Sequence, residues 1–196
     1  MTRRNLLATA PALLLPGCSP APKPAPKPVE PVTGLHALYA MYQHARTWAQ
    51  DLMVVRLTSI DITQVPDQPG KVGAWQAVLA SPSHSQQRAS TFSVFDASPS
   101  LRSGIFADAP GPLASDVRPF PLAALRTDSD QAYETALRHA AEYSRKNPHM
   151  QITYQLEMER RVNDPLWRVI WGSSITSSVF SILIDASTGE YMQTLS

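Results

Sequence analysis

The feature that most constrains the fold is a pair of apolar, alternating segments that occurs twice. Trp75-Gln76-Ala77-Val78-Leu79-Ala80-Ser81 matches Trp167-Arg168-Val169-Ile170-Trp171-Gly172-Ser173. Phe92-Ser93-Val94-Phe95-Asp96-Ala97-Ser98 matches Ser181-Ile182-Leu183-Ile184-Asp185-Ala186-Ser187. A period of two places one face of each segment in a core and turns the other to water, as a half-buried strand does. Trp75 and Trp167 are counterparts, as are Asp96 and Asp185. The tryptophans lie 92 residues apart and the aspartates 89, so the intervening loop reads as three residues longer in the first copy. Two unrelated amphipathic strands are the alternative to duplication. The shared tryptophan, the shared Asp-Ala-Ser and the preserved order favour duplication.

A helical pattern precedes each strand pair. Leu35, Leu38, Tyr39, Tyr42, Ala45 and Ala49 follow helix spacing, and so do Tyr133, Ala136, Leu137, Ala140 and Tyr143. Asp128 or Ser129 is placed to cap the second helix, and Asn147-Pro148 to stop it. A further strand reads at Met53 to Val65 and, with clean alternation, at Ile152, Tyr154, Leu156 and Met158. The expected fold class is therefore α+β, with two repeated units, each one helix packed on a three- to four-stranded antiparallel sheet. The units span residues 35–108 and 128–196. Residues 109–127, with Pro110, Pro112, Pro119 and Pro121, read as a linker or an extended wrap.

The N-terminus reads as an address. Arg3 and Arg4 precede an apolar run, Leu6 to Leu15, that is too short to span a bilayer and has the length of a signal h-region. Leu15-Pro16-Gly17-Cys18 resembles the lipobox of bacterial lipoproteins. The resemblance implies cleavage of a signal peptide, residues 1–17, and lipidation of Cys18. The thiol then carries diacylglycerol and the new amine a fatty acyl chain such as palmitate. An ordinary signal peptide with a chance cysteine is the alternative, and a lone thiol is an odd feature of an exported chain. Cys18 is the sole cysteine, so its lipidation excludes disulfides and thiolate chemistry. Thr2-Arg3-Arg4-Asn5-Leu6-Leu7 is partly similar to a twin-arginine export signal. By the same lipoprotein resemblance, Ser19 implies the outer membrane in a Gram-negative cell, facing the periplasm. Residues 18–34 are the lipidated Cys18 and a tether with a proline at nearly every second position. Such a segment tends to polyproline II and reaches roughly 45 Å. A proline-rich ligand for another domain is the alternative to a spacer.

Without residues 1–17, fifteen Lys and Arg face sixteen Asp and Glu. A near-neutral chain with no basic block gives no support for nucleic-acid binding.

Phe180-Ser181-Ile182-Leu183-Ile184-Asp185-Ala186-Ser187-Thr188-Gly189-Glu190, with the strand Trp167 to Trp171 before it, resembles a PepSY domain, a helix-plus-antiparallel-sheet unit named for peptidase propeptides. The resemblance covers residues 130–192. The first copy departs from it: Asp96 is followed by Ala97-Ser98-Pro99-Ser100, with no Thr-Gly-Glu, so it reads as a degenerate PepSY-like unit or a different fold with similar strands. The resemblance implies a module that restrains or modulates a peptidase, or binds another envelope partner.

Asp185, Thr188, Gly189 and Glu190 read first as a turn. Asp185 is placed to accept backbone N–H groups just ahead of it, and Gly189 to take φ > 0. A calcium loop is the alternative, but two carboxylates fall short of an EF-hand set. His36, His44, His84, His139 and His149 show no metal-ligand spacing, and neither a G-x-S-x-G elbow nor a phosphate loop is present. No cofactor and no metal is expected.

These readings converge on a non-enzymatic envelope lipoprotein, held to membrane lipid through acylated Cys18 and presenting a module for an envelope protein or peptide. Trp48, Trp75, Trp167 and Trp171 are either anchors for that partner or core. A carrier or sensor of a small apolar ligand is the second reading, and an enzyme of unrecognised type the third.

Overall fold

The computed structural model describes residues 29–159 and 161–196. Cys18, the signal segment 1–17 and the tether as far as residue 28 lie outside the described residues.

In chain order the elements are β1 (Val32–Thr33), α1 (Gly34–Ala45), β2 (Met53–Ile60), β3 (Lys71–Val72), β4 (Ala74–Ser81), β5 (Gln86–Ser93), β6 (Gly104–Ala107), β7 (Gly111–Pro112), α2 (Ser129–His139), α3 (Ala141–Lys146), β8 (Ile152–Glu159), β9 (Asp164–Trp171), β10 (Phe180–Asp185) and β11 (Tyr191–Leu195). β1 and β3 form a small ribbon. The other strands form one nine-stranded sheet in the order β11-β10-β9-β8-β2-β4-β5-β6, with β7 also paired to β5. All of its pairs are antiparallel.

This corrects the expected fold class. The protein does not consist of two units, each with a helix on its own three- to four-stranded sheet. β2 and β8, the first strand of each half, pair through Arg56↔Glu157, Leu57↔Leu156 and Thr58↔Gln155 and fuse the halves. A three- or four-stranded sheet would leave the edges of β2 and β8 open, and pairing them removes both liabilities at once. Residues 109–127 do more than connect. They carry β7, and Phe120 bridges Val54 with reciprocal N–H···O bonds of 2.8 Å at the end of β2 that β8 does not reach.

α1 and α2 lie over one face. Ala37, Leu38, Met41 and Ala45 of α1 and Ala132 and Ala136 of α2 share a core with Leu57, Trp75, Leu79, Tyr154, Leu156, Trp167, Ile182 and Ile184. Trp75 and Trp167 meet edge to face, with ring centroids 6.2 Å apart at 70°. Each indole N–H donates to a carbonyl two residues before a helix: Trp75 to Val32 at 3.0 Å and Trp167 to Thr127 at 2.8 Å. A buried indole N–H needs such a partner.

The register also changes the alignment of the halves. Phe92 stands opposite Trp75, and Ile184 opposite Trp167. Two residues on, Val94 N–H donates to Gly73 O and Ala186 N–H to Pro165 O. Ser93, not Asp96, therefore occupies the place of Asp185. Ser93 Oγ even accepts from Phe95 N–H, as Asp185 Oδ1 accepts from Ser187 N–H. The spacing is constant at 92 residues through both strands, so the three-residue loop difference read from the aspartates is absent. Asp96 instead accepts the Ser103 N–H at 2.7 Å within a separate loop.

Candidate functional site

Each residue singled out in the sequence has a definite place. Asp185 ends β10, and its Oδ1 accepts the N–H groups of Ser187 (2.7 Å) and Thr188 (2.9 Å). Gly189 N–H returns to Asp185 O at 2.9 Å, and Asp185 N–H donates to Glu190 O at 2.9 Å. Gly189 has φ +78°. Thr188 Oγ1 accepts the Glu190 N–H at 3.3 Å, and Ser187 Oγ donates to Ala124 O. The Asp185 carboxylate is thus occupied with backbone in a tight hairpin between β10 and β11. Among the described residues no group of His, Cys, Asp and Glu gathers into a metal site. The histidines are dispersed: His36 meets Phe92, His84 meets Trp48, and His139 stacks on Tyr191 at 3.9 Å.

Trp75, Trp167 and Trp171 are fully buried. They are core and offer nothing to a partner. Trp48 is half-buried beneath the Arg88 guanidinium, 5.2 Å from its ring centroid.

What the turn does is launch β11, and here sequence reasoning fell short. Among the described residues β11 is an outer strand of the sheet, paired only to β10. Its residues, Tyr191-Met192-Gln193-Thr194-Leu195, carry no charge and no proline. Edge strands are ordinarily blunted by charge, proline or brevity. The opposite edge is: β6 has four residues, β7 two, and Pro110 and Pro112 interrupt it. A bulge at Met192 bends β11 locally, between the pairs Leu183↔Gln193 and Ile184↔Tyr191.

Beside β11, on the face away from the helices, runs a groove of about 270 Å³. Leu166, Leu183, Met192 and Leu195 form its apolar walls, and Glu159, Arg161 and Val162, at the end of β8 and in the β8–β9 turn, line it as well. Val162, Val179, Tyr191 and Met192 are all exposed around this edge. The signal was present in the sequence as a neutral, β-prone last segment. What could not be read was that the strand has no outer neighbour among the described residues.

Among the described residues no helix is long and apolar enough to cross a membrane. Comparison with known protein families gives no match, and comparison with curated proteins gives none either. A crystal structure of a protein from Clostridium difficile 630 assigned to the lipoproteins is similar in fold, at a TM-score of 0.50 and 12% identity. The similarity covers 87% of this chain and 95% of that one.

Proposed function

We propose that this chain is a non-enzymatic lipoprotein of the bacterial cell envelope that binds an extended protein or peptide segment along β11. In this reading Cys18 carries the lipid, residues 18–34 hold the folded part off the membrane, and the membrane is the outer one in a Gram-negative cell. Residues 128–196 form the PepSY-like half, and the first half is its degenerate relative. Restraint of a peptidase is the role such a module suits.

The observation that carries the reading is the uncharged, unpaired β11 edge beside an apolar groove. Main-chain groups of β11 supply hydrogen bonds to an added strand, and alternate side chains of that strand fall into the groove. The fold likeness to the Clostridium difficile protein adds support for the lipoprotein part. A carrier of small apolar ligands is less well supported, because Trp75, Trp167, Tyr154 and Phe120 fill the space between helices and sheet.

Hydrogen exchange tests the edge. Peptides that alternate apolar and polar residues should slow exchange of the Tyr191–Leu195 amides, and Met192→Glu should abolish the protection without lowering the melting temperature. Exchange unchanged across the whole peptide set would refute the edge reading. Intact-mass analysis tests the anchor separately: the mature chain should begin at a diacylglyceryl-modified Cys18, and an unmodified Cys18 would remove it.

A further inference from the structure

The face of the sheet away from the helices holds a second concavity, far from β11, where the two halves join. It measures about 360 Å³. Arg56 and Thr58 of β2, Gln76 of β4 and Gln155 of β8 line its floor, with Ser174 and Ile175 of the β9–β10 loop against it. The loop reaches there because strand pairing ends at Trp171↔Phe180, whereas the matching hairpin of the first half stays paired to Ser81↔Gln86. Gly172, at φ +148°, makes the bend, and Thr153 Oγ1 holds it by donating to Gly172 O at 2.7 Å.

Gln155 is the unusual residue. It lies at the centre of the joint, opposite Thr58 and Arg168, and is 6% exposed. Among the described residues no hydrogen bond holds its side-chain amide, yet that amide is not sealed off: its polar atoms open onto the concavity, beside the exposed side chains of Arg56 and Gln76. A carboxamide that no protein group holds and that opens onto a cavity is free to pair with a molecule that enters it.

We propose that this concavity binds a compact ligand of the sugar class, bearing hydroxyl and N-acyl groups and at most one acid. The lining decides the class. Among the described residues of the lining Ile175 is the one apolar side chain, and the others end in amide, hydroxyl or guanidinium groups. Among the described residues of the lining Arg56 is the one cation and there is no carboxylate, Glu157 standing opposite Arg56 on β8, which suits a neutral or singly anionic molecule. β2 and β8 are paired on both sides, so a peptide cannot enter as an added strand. What remains are amides and hydroxyls that both donate and accept, the complement of sugar hydroxyls. Gln155 matches an N-acyl group through two parallel hydrogen bonds, and Arg56 a single carboxylate.

The test is an amide NMR titration of the full chain with N-acetylglucosamine, with its acidic lactyl ether N-acetylmuramic acid, and with laurate as the apolar control. Saturable shifts centred on Thr58, Gln76 and Gln155 are expected with both sugars and not with laurate. Gln155→Leu should weaken both sugars about tenfold, the worth of one hydrogen bond. Arg56→Ala should weaken the acidic sugar about tenfold and the neutral one little. Should Gln155→Leu fail to fold, Gln76→Ala, at an exposed position, carries the test with the same expectation. Absence of saturable shifts with either sugar, shifts unaffected by Gln76→Ala and Arg56→Ala, or shifts confined to β11 would each overturn the proposal and leave the concavity to water.

Discussion

Gly189 shows how much one backbone position decides. With φ +78° it sits where a side chain is strained, and a Cβ there would stand 3.2 Å from Thr127 Oγ1. Gly189→Ala should cost about 1 kcal/mol in urea unfolding. Asp185→Ala, which frees the N–H groups of Ser187 and Thr188, should cost about 1 kcal/mol as well. Neither melting temperature should respond to calcium. A calcium-dependent rise confined to proteins that keep Asp185 would make this turn a metal loop after all. Asp67 gives a pH prediction. Desolvation by the loop around it, then the charge of Asp61, raises its carboxyl to about 6 from 3.8. A folded-state pKa above the unfolded one means that its contribution is fully present below about pH 3.8 and is lost as pH rises through about 6. Asp67→Asn should therefore raise the melting temperature at pH 7 and leave it unchanged at pH 4. The gain should be small, because the carboxyl is only partly desolvated and solvent screens it. A variant less stable than wild type at pH 7 would contradict the assignment.

At the scale of elements, the two helix starts are tied to each other. α1 has no side-chain cap of its own at Thr33. Asp128 Oδ1, which caps α2 by accepting from Ser129 N–H at 2.7 Å, also accepts from Leu35 N–H of α1 at 2.8 Å. Gln131 Oε1 accepts the Asp128 N–H, the return half of a capping box. Ser129 Oγ accepts from Gly34 N–H at 2.7 Å and donates to Gly70 O. Asp128→Ala should thus cost about 1–2 kcal/mol and speed exchange of the Leu35 amide as well as that of Ser129. Loss confined to α2 would show that the shared cap is not coupling the helices. The sequence allowed half of this. Asp128 or Ser129 reads as a helix cap from the sequence, because a local signal of polar residue and apolar period needs no knowledge of the rest of the chain. A partner 93 residues away leaves no local trace. The same holds for the strands: β8 showed in its alternation, and Trp75 and Trp167 in theirs, since burial on one face writes a period into the sequence. Register against a neighbour writes none, which is why Asp96 aligned with Asp185 by resemblance while hydrogen bonding puts Ser93 there. β11 was likewise legible as a short strand but not as an edge.

For the whole molecule, the join between β2 and β8 separates one fold from two. If each half were a unit with its own sheet, residues 29–108 and 128–196 would each fold alone. In the structure that separation exposes an edge of β2 and an edge of β8, uncovers Leu57 and Leu156, and parts Trp75 from Trp167. It also takes Asp128 and Ser129 away from the start of α1, and leaves the buried N–H of Gly34 and the part-buried N–H of Leu35 without these partners. Gly34 marks how closely the halves meet: a Cβ on it would come within 2.5 Å of Trp167 Cη2 and 3.2 Å of Trp75 Cη2. Each half alone should therefore be unfolded or aggregated, and the two expressed together should reassemble into one species with the circular dichroism and single cooperative melt of the intact chain. Gly34→Ala should lower that melt by wedging a methyl between the indoles, at about 1–3 kcal/mol, the usual penalty of overpacking. Two independent melting transitions in the intact chain, or a stable monomeric fold for either half by itself, would mean that the joint is a contact between domains and not the middle of one sheet.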